Sequence, residues 1–284
     1  MSEEINYRTE VHPVWCPGCG NFSLLTAVTR RVLPRLGIPR HRVVIVSGIG
    51  CSSRIPGYIN TYGINTLHGR AVPIAQGAKL ANPELTVIAI GGDGDFFSIG
   101  AGHLPHAVRR NIDITCIMVN NFVYGLTKGQ TSPTTPYPDR RGGPFLSQRF
   151  YPPVDPVLDM ISYSVSTRAS FIAQGIASDV SHLSWLIEEA IKHPGFSFIS
   201  VLSPCVTFNP PGLFDAIKEK ASYLKEGEPV ELPSPSREKP WLHDPSNITL
   251  ALKLAQTSLL EKSHLGIIFR GKSSCVASGE HQEL

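Results

Sequence analysis

Three continuous apolar stretches stand out in the first half of the chain, and each ends in small or polar residues. They are residues 42–50 (RVVIVSGIG), 85–95 (LTVIAIGGDGD) and 112–121 (IDITCIMVNN). Such runs are typical of strands buried on both faces of a parallel sheet. Residues 96–111 between the last two runs have the length of one crossover helix. The pattern therefore predicts a parallel β–α–β unit.

Helical periodicity flanks these predicted strands. Within residues 20–36, apolar side chains recur at helical spacing, and residues 178–195 predict a second amphipathic helix that stops at a Pro-Gly pair. Residues 169–175 and 196–205 predict further strands. We therefore expect an α/β fold with a mainly parallel sheet and helices on both faces, within a first domain at residues 1–206.

Two segments lack this regularity. Residues 131–156 contain seven prolines, which predicts a long irregular loop that is functional or covered by something else. Residues 207–284 predict an irregular C-terminal extension with a Pro-rich connector, a helix near residues 247–261 and a disordered tail after Lys272.

Composition narrows the class of protein. Charged residues make up 17% of the chain, below the average of about 25%, which suggests a surface covered by a partner chain or by self-association. The net charge of +3 gives no indication of nucleic-acid binding. The N-terminus is polar, so no signal peptide is predicted there. No apolar run reaches about 18 residues, so no membrane span is predicted. We expect a cytoplasmic protein whose cysteines are reduced. Disulfides stay an alternative if the source is a hyperthermophile, because they do form in such a cytosol.

Polar side chains follow two of the predicted strands. Asp93 comes after the second apolar run and Asn121 ends the third, 28 residues later. Ligands bind at the carboxyl ends of parallel strands. These two side chains are therefore expected close together at that edge of the sheet, where a metal ion could bridge them. The GDG and NN pair also resembles the thiamine diphosphate motif. That resemblance implies Mg²⁺ ligands at Asp93, Asn121 and the Val123 carbonyl.

Four cysteines are expected at the same edge of the sheet. Cys51 and Cys205 follow the first and last buried strands, and Cys16 and Cys19 precede the first helix. Four thiolates can bind zinc or a [4Fe–4S] cluster, and the spacing leaves both open. Cys116, in the middle of a strand, is expected to be a small buried hydrophobic residue.

Longer stretches resemble one known family. They are WCPGCGNF, GIGCSSRIPGY, LHGRAVPIAQGAKLANP, GGDGDFFSIGAGHLPHAVRRN and VNNFVYGLTKGQTSPTTP, which cover residues 15–136 almost continuously, together with SPC at residues 203–205. The chain resembles the β subunit of archaeal-type 2-oxoacid:ferredoxin oxidoreductases. The resemblance implies a thiamine diphosphate-binding fold and a reaction in which a 2-oxoacid, coenzyme A and oxidised ferredoxin give acyl-CoA, CO₂ and reduced ferredoxin.

The resemblance also implies roles for particular residues. Cys16, Cys19, Cys51 and Cys205 would ligate a [4Fe–4S] cluster. Thiamine contacts are implied for Ile49, Gly50, Cys51, Ser52, His68, Gly69, Arg70, Ala71, Gly94, Asp95, Asn121, Gly125 and Leu126. His68, Arg70 and Lys128 are the candidate catalytic residues. The alternative, non-catalytic interpretations are that His68 is a structural histidine, Arg70 forms a surface ion pair and Lys128 is solvated.

Partners follow from the same resemblance. In the family, the glutamate that faces the aminopyrimidine ring lies on a partner subunit, so this chain is expected to be inactive alone. We expect a catalytic α or fused γα subunit in an αβ or α2β2 assembly, with ferredoxin as electron acceptor and neither nucleic acid nor membrane as a partner. Two alternatives remain: the thiamine-binding subunit of a non-oxidative 2-oxoacid decarboxylase, and a zinc-stapled non-catalytic subunit.

Overall fold

A computed structural model describes residues 5–136, 157–232, 240–259 and 261–272. Its main feature is an eight-stranded sheet with the strand order β2-β1-β3-β4-β8-β7-β12-β9. Six strands run parallel, while β12 pairs antiparallel with β7 and parallel with β9. The strands of this sheet are β1 (Val43–Ser47), β2 (Tyr62–Asn65), β3 (Thr86–Gly92), β4 (Thr115–Asn120), β7 (Phe171–Ile176), β8 (Ser197–Leu202), β9 (Ala221–Tyr223) and β12 (Ser263–Arg270). Two short pairs, β5 (Val123–Tyr124) with β6 (Gln130–Thr131) and β10 (Pro229–Val230) with β11 (Trp241–Leu242), stand apart from it.

Helices cover both faces of the sheet, as the sequence predicted. One face carries α1 (Asn21–Thr26), a π-helical stretch (Ala27–Val32), α2 (Leu33–Leu36) and α6 (Val180–Lys192). The other carries α3 (Ala71–Ala81), α4 (Leu104–Arg110), α5 (Met160–Ser166) and α8 (Ile248–Ala255). A short helix, α7 (Leu213–Glu219), packs with Phe122, Leu202 and Leu265 in a smaller cluster.

The three apolar runs form β1, β3 and β4, which are adjacent and parallel. The crossover between β3 and β4 is more broken than the single helix expected. It consists of a π-helical turn (Asp95–Ile99), a 3-10 turn (Ala101–His103) and only then α4. Gly100 allows this close turn, because a Cβ there would lie 2.4 Å from the Asp95 carbonyl oxygen.

The C-terminal segment contains more regular structure than the sequence indicated. The helix expected near residues 247–261 is present as α8, and β12 adds a strand to the main sheet beside β7. The domain boundary at residue 206 stays a prediction. The loop expected at residues 131–156 is described up to Pro136, and its remainder and the tail after Lys272 lie outside the described residues. Across the described ranges, no helix is both long and apolar enough for a membrane span.

This topology decides where functional side chains gather. β1, β3, β4 and β8 are parallel neighbours, so the loops after them share one edge of the sheet. Those loops contain residues 48–52, 93–95, 121–123 and 203–205. The predicted site residues at the ends of separate strands are therefore neighbours in space.

Candidate active site

The carboxylate of Asp93 is fully buried at the end of β3. Its Oδ2 accepts a short hydrogen bond from Ser132 Oγ and another from Thr134 Oγ1 at 2.5 Å. Its Oδ1 accepts one from the backbone amide of Asn121 at 3.4 Å. Burial raises the pKa of Asp93, and these hydrogen bonds oppose that rise. Its hydrogen-bond partners among the described residues are hydroxyl and amide groups rather than basic side chains, so a bound cation would offset the cost of burying this charge.

Asn121 and Val123 lie at the end of β4, across from Asp93. Between them, Phe122 is buried and adopts a left-handed backbone conformation with φ of +62°, which costs a non-glycine residue roughly 1–3 kcal/mol. Asn121 Oδ1 accepts a hydrogen bond from the Val123 amide at 3.1 Å. The strained turn thus brings an amide side chain and backbone carbonyls to the edge where Asp93 lies. Strained backbone of this kind is concentrated at functional sites.

A cavity of about 280 Å³ opens between these loops. It is lined by twelve of the predicted site residues, namely Ile49, Gly50, Cys51, Ser52, His68, Asp93, Gly94, Asp95, Asn121, Val123, Gly125 and Leu126. Gly69 and Ala71, which follow His68 in the chain, are buried and do not line the cavity. Two other cavities, of about 350 and 390 Å³, are larger but contain fewer of these groups.

Two of the three candidate catalytic residues lie away from the lining of this cavity. Arg70 donates a hydrogen bond from its guanidinium to the Gly69 carbonyl at 3.3 Å. Lys128 is exposed in the β5–β6 turn with φ of +76°. Of the three, His68 is the residue that lines the cavity. The roles of Arg70 and Lys128 remain predictions.

The Cys16–Cys19 loop packs directly on the end of the sheet. A Cβ on Gly20 would lie 2.2 Å from Ser203 Oγ and 2.6 Å from Ala177 Cβ, so the loop touches the residues that follow β7 and β8. Trp15 Nε1 donates a hydrogen bond to the Cys51 carbonyl at 2.7 Å, which ties the loop to the end of β1 as well.

The four predicted ligand thiols converge at this place. A Cβ on Gly125 would be 3.7 Å from the sulfurs of both Cys51 and Cys205, so these sulfurs are separated by no more than twice that distance. Burial, together with the charges of Cys19, Cys205 and Cys16, raises the pKa of Cys51 to about 11. Burial likewise raises the pKa of Cys19. The five cysteines that the structure describes are free thiols, and Cys116 is buried within β4 as predicted.

Within the described residues, no group of three or more His, Cys, Asp or Glu side chains is arranged to hold one metal ion. Tetrahedral zinc with bonds of about 2.3 Å needs sulfurs roughly 3.8 Å apart. The upper limit of twice 3.7 Å between the Cys51 and Cys205 sulfurs is compatible with zinc and with a larger cluster, so both predicted ligands stay open.

Sequence reasoning missed several residues of this site. Ser132 and Thr134, which hold Asp93, belong to the segment interpreted as an irregular Pro-rich loop. Tyr124 packs its ring where a Gly94 Cβ would be, and its hydroxyl donates to the Gly94 carbonyl at 3.3 Å. The hydroxyl-rich sequence TSPTT, so soon after the predicted metal loop, was the available signal for the first two.

Comparison with known proteins gives consistent matches. Residues 48–201 match the family model described as thiamine pyrophosphate enzyme, C-terminal TPP binding domain. The chain is 49% identical over 198 residues to 2-oxoacid:ferredoxin oxidoreductase subunit beta of a Sulfolobus species, an alignment that covers 69% of this chain and 63% of the relative. It is 41% identical over 239 residues to 2-oxoacid:ferredoxin oxidoreductase 1, subunit beta, of Aeropyrum pernix, which covers 82% and 73%. The chain thus spans 63% of the length of the Sulfolobus relative and 73% of the Aeropyrum one.

A solved structure is similar along most of the chain. It is the 2-oxoglutarate:ferredoxin oxidoreductase from Magnetococcus marinus with 2-oxoglutarate, coenzyme A and succinyl-CoA bound, with 34% identity and a TM-score of 0.81. The match covers 94% of this chain and 84% of that chain. On sequence and fold together, the chain belongs to the family of 2-oxoacid:ferredoxin oxidoreductase β subunits, with a thiamine diphosphate-binding domain at residues 48–201.

Proposed function

We propose that the chain is the β subunit of a cytoplasmic 2-oxoacid:ferredoxin oxidoreductase, which converts a 2-oxoacid and coenzyme A to acyl-CoA and CO₂ and passes the released electrons singly to ferredoxin. The observation that carries the proposal is the convergence at Gly125. The position that a Cβ on Gly125 would take is 3.7 Å from the side-chain Nδ2 of Asn121 and from the sulfurs of Cys51 and Cys205. A predicted cofactor–metal site and a thiol cage are thus immediate neighbours.

The residues present fit the groups that this function requires. Asp93, Asn121 and the Val123 carbonyl would hold Mg²⁺, because they offer hard oxygen ligands and the buried Asp93 carboxylate contacts hydroxyl and amide groups rather than a basic side chain. Cys16, Cys19, Cys51 and Cys205 would hold a [4Fe–4S] cluster. A cluster, unlike the single zinc ion of the zinc-stapled alternative, would relay electrons one at a time, as the reduction of ferredoxin requires.

When bound, thiamine diphosphate supplies the carbon nucleophile for decarboxylation, and the cluster supplies a one-electron relay. The chain's own residues would bind these groups and orient them. Asp93 and the strained Phe122 turn set the position of the metal ligands. The glycine at residue 92 leaves room for a backbone amide to approach phosphate oxygens, since the nearest atom to a Cβ there would be Ser52 Oγ at 3.8 Å. His68 presents an imidazole to the cavity.

A partner subunit completes the site in this proposal. The cavity is open, and hydrophobic side chains beside it are exposed, among them Leu67 at 77%, Ile99 at 56% and Leu126 at 49%. An α or fused γα subunit in an αβ or α2β2 assembly would cover them. It would also supply the glutamate for the aminopyrimidine ring and contacts for coenzyme A.

The test is anaerobic purification of the full chain with its co-expressed partner subunit, followed by a panel of 2-oxoacids with ferredoxin or a viologen as acceptor. We expect coenzyme A-dependent reduction of the acceptor and about four iron atoms and four sulfides per chain, as a [4Fe–4S] cluster requires. Release of CO₂ without an acceptor, in protein free of iron and sulfide, would favour the non-oxidative decarboxylase. Bound zinc without thiamine diphosphate binding would favour the non-catalytic alternative.

Two variants separate the two centres. Cys16→Ser is expected to lose iron and ferredoxin reduction while Mg²⁺–thiamine diphosphate binding survives. Asp93→Asn is expected to lose that binding while iron is retained. Cys116→Ala is the matched control, because this buried thiol belongs to the apolar core and not to the site. Full ferredoxin reduction by Cys16→Ser would contradict the ligand assignment.

A further inference from the structure

We propose that Asp95 is a positioning residue for His68. Its buried carboxylate holds the Nδ1 edge of the imidazole and the two flanking loops, so that the opposite ring edge faces the bound cofactor. The inference deepens the proposed function and rests on it, since the cofactor is the one assigned to this cavity. It also changes the role expected for Asp95, whose carboxylate would serve the loops rather than contact thiamine diphosphate.

The carboxylate is packed into the wall of the cavity. Asp95 is 2% exposed, and its Oδ2 is buried without a hydrogen-bond partner. A Cβ on Gly48 would lie 1.9 Å from this oxygen, and one on Gly91 would lie 2.7 Å from it. Oδ2 is therefore wedged between the backbones that follow β1 and end β3. Burial raises the pKa of Asp95, and contacts with Gly69, Ile49 and His68 oppose the rise.

The other carboxylate oxygen joins the two loops. Oδ1 accepts hydrogen bonds from the Gly69 amide at 2.7 Å and the Ile49 amide at 3.1 Å, and His68 Nδ1 lies 2.8 Å away. An ionised carboxylate is an acceptor only, so three N–H donors can share it. Ile49 and His68 line the cavity from opposite loops. The buried Oδ1 atom of Asp95 thus sets the relative position of the loops that carry Ile49 and His68.

The histidine is oriented by this contact. Nδ1 is inaccessible to solvent, although 37% of the side chain is exposed. The accessible edge of the ring is therefore the Nε2 edge. The Nδ1–Oδ1 distance of 2.8 Å is short, although the two groups are not aligned as a regular hydrogen bond. The contact therefore fixes which edge of the ring points into the wall and which edge points into the cavity.

The first test reads the His68 ring without any cofactor. In ¹⁵N-labelled full chain, long-range imidazole spectra at neutral pH report the tautomer, and His68→Gln identifies the signals. We expect the Nδ1–H tautomer in the wild type, because the partner of one nitrogen sets the tautomer of the ring. Asp95→Asn is expected to shift His68 toward Nε2–H.

Asp159→Asn is the matched control for this measurement. Asp159 is also a carboxylate that accepts two backbone amides, those of Ile161 at 2.8 Å and Ser162 at 2.9 Å, but it is solvent-exposed and caps α5 away from His68. Its substitution should leave the His68 signals unchanged. An Nε2–H tautomer in the wild type would overturn the proposal even if Asp95→Asn failed to fold, and so would His68 signals that Asp95→Asn leaves unmoved.

A double-mutant cycle on Mg²⁺–thiamine diphosphate binding then separates positioning from general structural support. Asp95→Asn should weaken binding about tenfold or more, equivalent to about 1.4 kcal/mol. In the His68→Gln background, the same change should cost less than about threefold. An equal loss in both backgrounds would refute action through His68. If the wild type bound no thiamine diphosphate, the proposed function would fail, while the tautomer would still decide the Asp95–His68 relation.

Discussion

Gly20 is the point at which the first cysteine loop meets the end of the sheet, and Gly20→Ala tests that contact. The backbone of Gly20 is right-handed helical, with φ of −64° and ψ of −12°, so alanine can adopt its conformation without strain. The obstacle is steric. The new methyl group would lie 2.2 Å from Ser203 Oγ, 3.1 Å from Ser203 Cβ and 2.6 Å from Ala177 Cβ.

The size of the effect follows from which neighbour can move. The Ser203 hydroxyl can rotate away, whereas the Cβ of Ala177 cannot leave its place without moving the backbone after β7. Overpacking of this kind costs about 1–3 kcal/mol. We therefore expect Gly20→Ala to lower the free energy of unfolding by about 2 kcal/mol. Because Cys19 directly precedes Gly20, the displaced loop should also lose iron.

The measurement is urea unfolding of the full chain, together with the iron content of anaerobically purified protein. Gly57→Ala is the control, since a Cβ there meets no atom within 4 Å. Adding Ala177→Gly to Gly20→Ala removes the 2.6 Å contact and should restore part of both the stability and the iron. A Gly20→Ala protein within about 0.5 kcal/mol of the wild type, with full iron content, would refute the packing argument.

Three further predictions concern other parts of the molecule. Burial, helped by the charges of Lys262 and His243 and opposed by Glu231, lowers the pKa of His264 to about 4. The unfolded chain, with a pKa near 6.5, takes up this proton first as pH falls, so stability is full above pH 6.5 and declines by up to roughly 3 kcal/mol toward pH 4. Urea unfolding should show a shallower decline for His264→Gln, and parallel pH profiles would contradict the assignment. Thr134→Val removes the hydroxyl beside Asp93 and should weaken Mg²⁺–thiamine diphosphate binding about tenfold by calorimetry; unchanged affinity would mean that the hydroxyl does not orient Asp93. Lys128→Gln should raise the KM for the 2-oxoacid several-fold with cofactor affinity unchanged, whereas an unchanged KM would assign this lysine to solvent.

The strand ends were predictable because apolar runs and the polar residues after them lie close together in sequence. Asp93 and Asn121 directly follow β3 and β4, and the rule that parallel strands share an edge was enough to bring them together. Cys51 and Cys205 follow from the same rule. The family resemblance then supplied roles that periodicity alone could not.

What the sequence did not reveal depends on contacts between distant segments. The role of Ser132 and Thr134 at Asp93 arises from a chain reversal at β5–β6 that no apolar pattern marks. β2 is short and exposed at all four positions, so it has no hydrophobic signature. β12 has an apolar core, but its place beside β7 depends on a pairing across about 90 residues.

The pairing of β12 with β7 has a practical consequence for anyone dividing this chain. All six residues of β7 are buried, and β12 occupies one of its two hydrogen-bonding sides. A fragment that ended near residue 206 would keep every predicted metal and cofactor ligand. It would also expose an unpaired apolar edge, which is a ready template for intermolecular strand addition. We expect such a fragment to aggregate, so the last strand protects the solubility of a site to which it contributes no predicted ligand.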